Sequence, residues 1–136
     1  MKEYRRRDRL LRGLGFKSYQ DYLASSLWSK IRTAQLRKHD GCYACGKPAT
    51  QVHHSRYSID VLLGHSLDGL YSVCGGCHFR SEFDEDGNKR RIRKVNKALK
   101  WRRKFWDSHK VLGRALYGNR ADNVDEQFRQ RLEREE

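Results

Sequence analysis

Two Cys-x-x-Cys pairs constrain this chain more than any other feature of its sequence. The pairs are Cys42/Cys45 and Cys74/Cys77, and together they hold every cysteine of the protein. A turn of two intervening residues lets both sulfurs of a pair face one ion, and Zn²⁺ takes four such ligands in tetrahedral geometry. We therefore predict a structural zinc site that ties the two pairs together.

The rest of the sequence favours a metal over disulfide bonds. The basic N-terminus is not followed by the apolar stretch of a secretory signal, and a reducing compartment keeps thiols free. About 40 % of the residues are apolar or glycine, below the usual range of about 45–50 %. The core should be small, and zinc binding, at about 10–16 kcal/mol in finger peptides, would stabilise it. Buried, unpaired or redox-active cysteines are the alternatives.

The charge of the chain predicts a polyanionic partner. The formal net charge is +13 and the pI is about 9.9. Nucleic acid is the first candidate partner and an anionic membrane surface the second. No run of 18 apolar residues occurs, so we expect no membrane span and an intracellular, cytoplasmic protein associated with nucleic acid.

Ten lysines and arginines lie within residues 89–104. Such a density of cations would neutralise several phosphates of a nucleic acid. The interleaved Trp101, Phe105 and Trp106 would either pack the segment onto the domain or stack on bases. The residues we predict to contact nucleic acid are Arg90, Arg91, Arg93, Lys94, Lys97, Arg102 and Arg103.

Length and pattern indicate one domain of the α+β class with appended segments. Residues 1–17 form a basic N-terminal arm, either a short helix ending near Gly13 or a solvated tail. Residues 18–83 form the central domain, with a helix over 18–38 that Ser18 caps and that a cap at Ser25 or Ser26 could restart. Strands are expected over 51–57 and 70–73, and a helix from near Cys77. Residues 84–136 form a basic helical C-terminal extension, polar from 122 onward.

Three histidines lie among the cysteines. His53 and His54 are adjacent, and adjacent side chains on a strand point to opposite faces. A division of roles is therefore natural, with one histidine as a metal ligand and the other as a base. His78 and Glu82 are four residues apart, which places them on one face of a helix, where both could reach one cation.

These residues resemble the HNH endonuclease family in its four-cysteine form. The motif in this chain is Val52-His53-His54-x-x-Tyr57, then Gly64, Leu67, Leu70 and Cys74-x-x-Cys77-His78. The preceding Tyr22-Leu23, Trp28, Arg32 and Leu36 are similar to the lead-in helix of such proteins. The resemblance covers about residues 19–83 and implies a small ββα-metal finger, clamped by zinc and flanked by N- and C-terminal helices, with residues 18–83 as the nuclease domain.

The resemblance also implies a reaction. It assigns His54 as general base, His53 and His78 as ligands of a catalytic divalent cation, and Glu82 as a further ligand. Mg²⁺ or Mn²⁺ suits a carboxylate, and Ni²⁺ or Zn²⁺ are alternatives. The expected activity is hydrolysis of phosphodiester bonds in duplex DNA, as an endonuclease or nickase, with a homodimer as one arrangement. The alternative is a weakly catalytic, zinc-bound module that binds DNA or RNA.

One position departs from the family pattern. The family's central asparagine falls where this chain has Gly69, nine residues before His78. In the family that side chain braces the loop carrying the base or assists the metal. Glycine has no side chain for either role, so either the neighbouring Asp68 substitutes after a one-residue shift of the loop or the position is dispensable.

Overall fold

The computed structural model describes residues 2–108. Six helices and two strands follow each other along this part of the chain. They are α1 (Lys2–Gly13), α2 (Tyr19–Leu23), α3 (Ser26–Lys38), β1 (Gln51–His54), α4 (Ile59–Leu62), β2 (Leu70–Val73), α5 (Gly75–Glu82) and α6 (Ile92–Ser108).

The sheet is a single antiparallel pair of short strands. Gln51 pairs with Val73 and His54 with Leu70, so the histidines lie near the end of β1 that meets the start of β2. The connection holds the one-turn helix α4 where the sequence predicted a loop, and β1 stops three residues short of the predicted strand. The α+β class is confirmed. The finer assignment, a ββα-metal finger, stays a prediction.

The predicted helix over residues 18–38 is divided in two. Ser18 caps α2, its side chain accepting from the Asp21 amide, and Ser25 caps α3 by accepting from the Trp28 amide. A side-chain oxygen at the N-cap satisfies an amide that the helix itself leaves unpaired, which favours a new start at each serine. The restart considered at Ser25 or Ser26 is therefore confirmed at Ser25.

Two apolar clusters form the interior. The larger joins α1, α2 and α3 to the hairpin and α4, with Leu11, Tyr22, Val61 and Leu62 fully buried. The smaller surrounds the cysteines and includes Val73 from β2 with Val95 and Leu99 from α6. The N-terminal residues, open between helix and tail in the sequence, form α1 and contribute Leu11 to the interior.

Glycines at two turns shape the central domain. Gly46 has φ of 78° in the turn after Cys45, and Gly64 has φ of 79° after α4. Residues with a side chain rarely adopt this left-handed backbone conformation, so glycine is the natural residue there.

The polar C-terminal segment predicted from residue 122 onward lies outside the described residues. None of the helices within residues 2–108 has the length and apolar character needed to cross a bilayer.

Candidate functional site

The two cysteine pairs meet at one point. The four sulfur atoms all lie within 4.8 Å of one another, and the Sγ atoms of Cys45 and Cys74 are 3.7 Å apart. A tetrahedron with Zn–S bonds of about 2.3 Å has edges of about 3.8 Å, which matches this separation. None of the four is in a disulfide. The cluster could therefore hold a structural metal such as zinc, as predicted.

Local backbone geometry explains why the sulfurs converge. Cys42 and Cys45 lie in a tight turn closed by hydrogen bonds from the Gly46 amide to the Cys42 carbonyl and from the Cys42 amide to the Lys47 carbonyl. Cys74 is the N-cap of α5, and its sulfur accepts from the Cys77 amide at 3.4 Å. A turn and a helix N-terminus thus present two sulfurs each to the same point.

The thiols shift one another's pKa in opposite directions. Hydrogen bonds from Cys45, Cys74 and Cys77 lower the pKa of Cys42, whereas hydrogen bonds to Cys42, Cys45 and Cys74 raise the pKa of Cys77. A bound divalent cation would stabilise all four as thiolates, because its charge outweighs their mutual repulsion.

His53 and His78 face each other across the junction of the hairpin and α5. Their ring centroids are 5.4 Å apart, with the ring planes at 65°. Gln51 lies two residues before His53 on the same face of β1, and its Oε1 is 2.7 Å from His78 Nδ1. The structure thus brings together two of the three histidines that the sequence singled out.

Glu82 lies at the edge of this histidine pair. Its carboxylate is 3.8 Å from His78 Nε2, one helical turn away as predicted, and 3.6 Å from the Lys89 ammonium. Within residues 2–108 the cysteines are the only group of three or more metal-ligating side chains that converges, so His53, His78 and Glu82 are neighbours without forming such a set.

His54 points to the opposite face of β1 and is 2 % exposed. Its ring stacks on Trp28 with centroids 4.6 Å apart and on Tyr57 at 5.5 Å, and its Nδ1 is 3.1 Å from the Tyr19 hydroxyl. Its Nε2 is buried without a hydrogen-bond partner. The alternation expected for a strand therefore separates His54 from the His53–His78 pair.

Burial keeps all three imidazoles neutral near pH 7. It lowers the pKa of His54 to about 3 and that of His53 to about 4, and it lowers the pKa of His78 as well. The cause is desolvation, which disfavours the charged ring. Neutral imidazole is the form that binds metals and accepts protons.

Helix α1 covers the aromatic side of the site. The Arg7 guanidinium lies over the Tyr19 ring, 4.0 Å from its centroid, and over the ring of Tyr57 at 5.4 Å. Tyr4 donates to the Arg90 carbonyl at 3.3 Å, and Lys89 lies over its ring at 4.7 Å. The N-terminal segment therefore bridges the aromatic residues around His54 and the polar residues around Glu82.

Of the seven residues predicted to contact nucleic acid, two are buried and five are exposed. Arg90 and Arg102 are 7 % and 1 % exposed, which corrects their assignment as contacts. Arg90 donates to the carbonyls of Arg80 and Ser81 near the end of α5. Arg102 lies on the inner side of α6 with the apolar residues Val95 and Leu99. The other five predicted contacts are exposed: Arg91, Arg93, Lys94, Lys97 and Arg103.

Several residues near the histidines were not singled out by the sequence. Asn96 on α6 contacts both His53 and the Ser55 backbone, and Gln51 contacts His78. Tyr19, whose hydroxyl contacts His54 Nδ1, was not singled out either. One feature of the sequence could have pointed to Asn96: it is the only uncharged polar residue among the lysines and arginines of residues 89–104.

The fold and the cysteine cluster define a small α+β protein that could hold a structural metal. Comparison with protein-family models, with curated proteins and with solved structures found no match.

Proposed function

We propose that this protein is a metal-dependent HNH-type endonuclease or nickase acting on duplex DNA. The observation that carries the proposal is the approach of His53 and His78, 5.4 Å between ring centroids, where a β-hairpin meets the helix that begins at the cysteine cluster. The order of histidines and cysteines along the chain resembles the family motif, and the hairpin and helix follow in the order that motif implies.

The residues around His78 suit a divalent cation. Two neutral imidazoles and the carboxylate of Glu82 are a common donor set for Mn²⁺, Ni²⁺ or Zn²⁺. A cation bound there would stabilise the charge that develops on the phosphate and on the leaving oxygen. Glu82 is now paired with Lys89, so cation binding would replace the lysine as the partner of the carboxylate.

His54 is the proposed general base, and the proposal requires its ring to become accessible. Burial lowers the pKa of His54 to about 3, so the ring is neutral near pH 7, and its pKa would rise towards the ordinary value once water reaches the ring. The buried Nε2 lacks a partner, and an unsatisfied buried polar atom costs about 1–3 kcal/mol. Exposure of the ring to water would satisfy this atom and bring it within reach of the phosphodiester.

The second candidate function is a zinc-bound nucleic-acid-binding module without strong catalysis. The burial of His54 and the separation of its ring from the His53–His78 pair favour this candidate. The exposed cations of α6 serve either function equally, because phosphate contacts provide affinity without chemistry.

Incubation of supercoiled plasmid with the zinc-loaded protein separates the two candidates. With Mg²⁺, Mn²⁺ or Ni²⁺ we expect nicked or linear products that EDTA abolishes. His78→Ala and His54→Gln should each lower the rate, the latter by about 100-fold or more, since general-base catalysis contributes about 10²–10⁴-fold. Binding to a short DNA duplex should remain.

His65→Ala is the matched control, because it removes an exposed histidine outside the site. Circular dichroism and zinc content establish that each variant is folded. Absence of cleavage by the folded wild type with every cation, together with tight duplex binding, would leave the non-catalytic candidate. Full activity of His54→Gln would remove His54 from its role.

A further inference from the structure

Asn96 makes two hydrogen bonds that tie α6 to the end of β1. Its Nδ2 donates to the Ser55 carbonyl at 2.8 Å, and its Oδ1 is 2.8 Å from His53 Nε2. Ser55 directly follows His54, so one side chain contacts the backbone beside one histidine and the ring of the other.

The chemistry of these contacts determines the orientation of the amide. A carbonyl oxygen only accepts hydrogen bonds, so the Asn96 atom facing Ser55 must be the NH₂ group. The Asn96 oxygen then faces His53 and can only accept. His53 Nε2 must therefore carry the ring proton, and a neutral imidazole has only one. The Nδ1 of His53 is left with its lone pair.

Position 69 has no space for a side chain that could make the hydrogen bonds of Asn96. A Cβ on Gly69 would lie 2.8 Å from Val61 Cγ2 and 3.1 Å from Arg56 Cγ, which leaves no room for a side chain. Gly69 contributes its backbone instead, because its carbonyl accepts from both the amide and the hydroxyl of Ser55 at 2.8 Å. Ser55 is thus held by Gly69 on one side and by Asn96 on the other.

We propose that Asn96 is a positioning residue that fixes His53 in the Nε2–H tautomer, which leaves Nδ1 with the lone pair that the cation of the proposed endonuclease would need, and that braces the backbone next to His54. This role deepens the proposed endonuclease function and rests on it for the cation. Asn96 belongs to α6, in the C-terminal basic segment. It would hold the backbone beside His54 in place, which a side chain at position 69 has no space to do. Partners that hold the second nitrogen of a metal-binding histidine orient the ring and raise its basicity.

The tautomer can be measured without reference to activity. Long-range ¹H–¹⁵N spectra of the zinc-loaded protein, with His53 assigned through His53→Gln, should show a protonated Nε2 and an unprotonated Nδ1. Asn96→Ala should give a mixture of tautomers. Asn96→Asp should retain the Nε2–H form, because a carboxylate still accepts, but should shift the backbone resonances of residues 55 and 56, because it no longer donates.

The control is Asp107→Ala, an exposed substitution on the same helix that should leave the His53 resonances unchanged. Calorimetric titration of Mn²⁺ into the zinc-loaded proteins gives a second readout. Loss of an outer partner typically costs about 10- to 100-fold in metal affinity, and we expect Asn96→Ala to fall in that range.

The outcomes distinguish this inference from the proposed function. An Nδ1–H tautomer in the wild type, or an unchanged tautomer and Mn²⁺ affinity in folded Asn96→Ala, would overturn the role of Asn96 even if the wild type cleaves DNA. The predicted tautomer change in a protein that neither binds Mn²⁺ outside the zinc site nor cleaves would support the positioning of His53 while removing the endonuclease.

Discussion

His53 and His54 are neighbours in the chain with different surroundings. His53 faces His78, Gln51 and Asn96, whereas His54 stacks on Trp28 and Tyr57. Strand geometry alone accounts for the difference, because successive side chains point to opposite faces. The sequence argument for two different roles follows from the same alternation. The aromatic neighbours of His54 come from distant positions, and its burial could not be read from the motif.

Gly64 shows how tightly a single position can be constrained. Its φ is 79°, and an added Cβ would lie 2.7 Å from Ile31 Cγ1. Gly87 has nearly the same φ, 80°, but open space around it. The two sites therefore share a left-handed backbone conformation and differ in packing.

We expect Gly64→Ala to lower the free energy of unfolding by about 1–3 kcal/mol more than Gly87→Ala, the range typical of an overpacked core. Urea unfolding of the zinc-loaded proteins would measure the difference. Gly87→Ala isolates the cost of a side chain at positive φ. Equal effects of the two substitutions would mean that Ile31 moves aside without cost.

Helix α6 has a buried face and a cationic face. Ile92, Val95 and Leu99 lie inward, together with the buried guanidinium of Arg102. The exposed Arg93, Lys97, Lys100 and Lys104 follow each other at steps of three and four residues, which places them along one side of the helix. The basic composition of residues 89–104 predicted an interaction with a polyanion, and the helical period decides which cations are available.

We expect Arg93→Gln/Lys97→Gln/Lys100→Gln to weaken binding to duplex DNA and to flatten its salt dependence. Each lost phosphate contact reduces the slope of log K against log salt by about 0.9, so three contacts would reduce it by up to about 2.7. Fluorescence anisotropy at a series of salt concentrations measures the slope.

The matched control removes three exposed cations from α3, as Lys30→Gln/Arg37→Gln/Lys38→Gln. It changes the net charge equally, so a difference between the two triple variants reports position. If both variants reduced the slope to the same extent, binding would follow net charge, and the stripe on α6 would have no special role.

At the scale of the molecule, two separate clusters of buried residues stabilise the fold. The aromatic and aliphatic cluster joins α1, α2 and α3 to the hairpin, while a few apolar residues surround the cysteines. The second cluster is small and contains all four cysteines. A metal held by the four sulfurs would connect the turn at Cys42 to the start of α5, and apolar residues of α6 pack against the same cluster.

We expect removal of the metal to unfold the protein. Zinc binding of about 10–16 kcal/mol is comparable with the whole stability of a domain, about 5–15 kcal/mol. Thermal unfolding with and without a strong chelator, and of Cys42→Ser, would show the loss, and metal analysis should give one zinc per chain. His78→Ala should keep its zinc. An unchanged melting temperature after complete zinc removal would contradict the structural role.

Local patterns in the sequence predicted most of the helices, the two strands and the cysteines that form the cluster, but not the short helix α4. The serine caps, the helical period of α3 and α6, and the spacing of the two cysteine pairs act over a few residues, so their consequences can be read directly. Tertiary structure alone decided that Arg90 and Arg102 are buried, that His54 lies among aromatic rings, and that Asn96 contacts His53 across 43 residues of chain. These contacts depend on how elements distant in sequence pack together, and no local period or spacing encodes that packing.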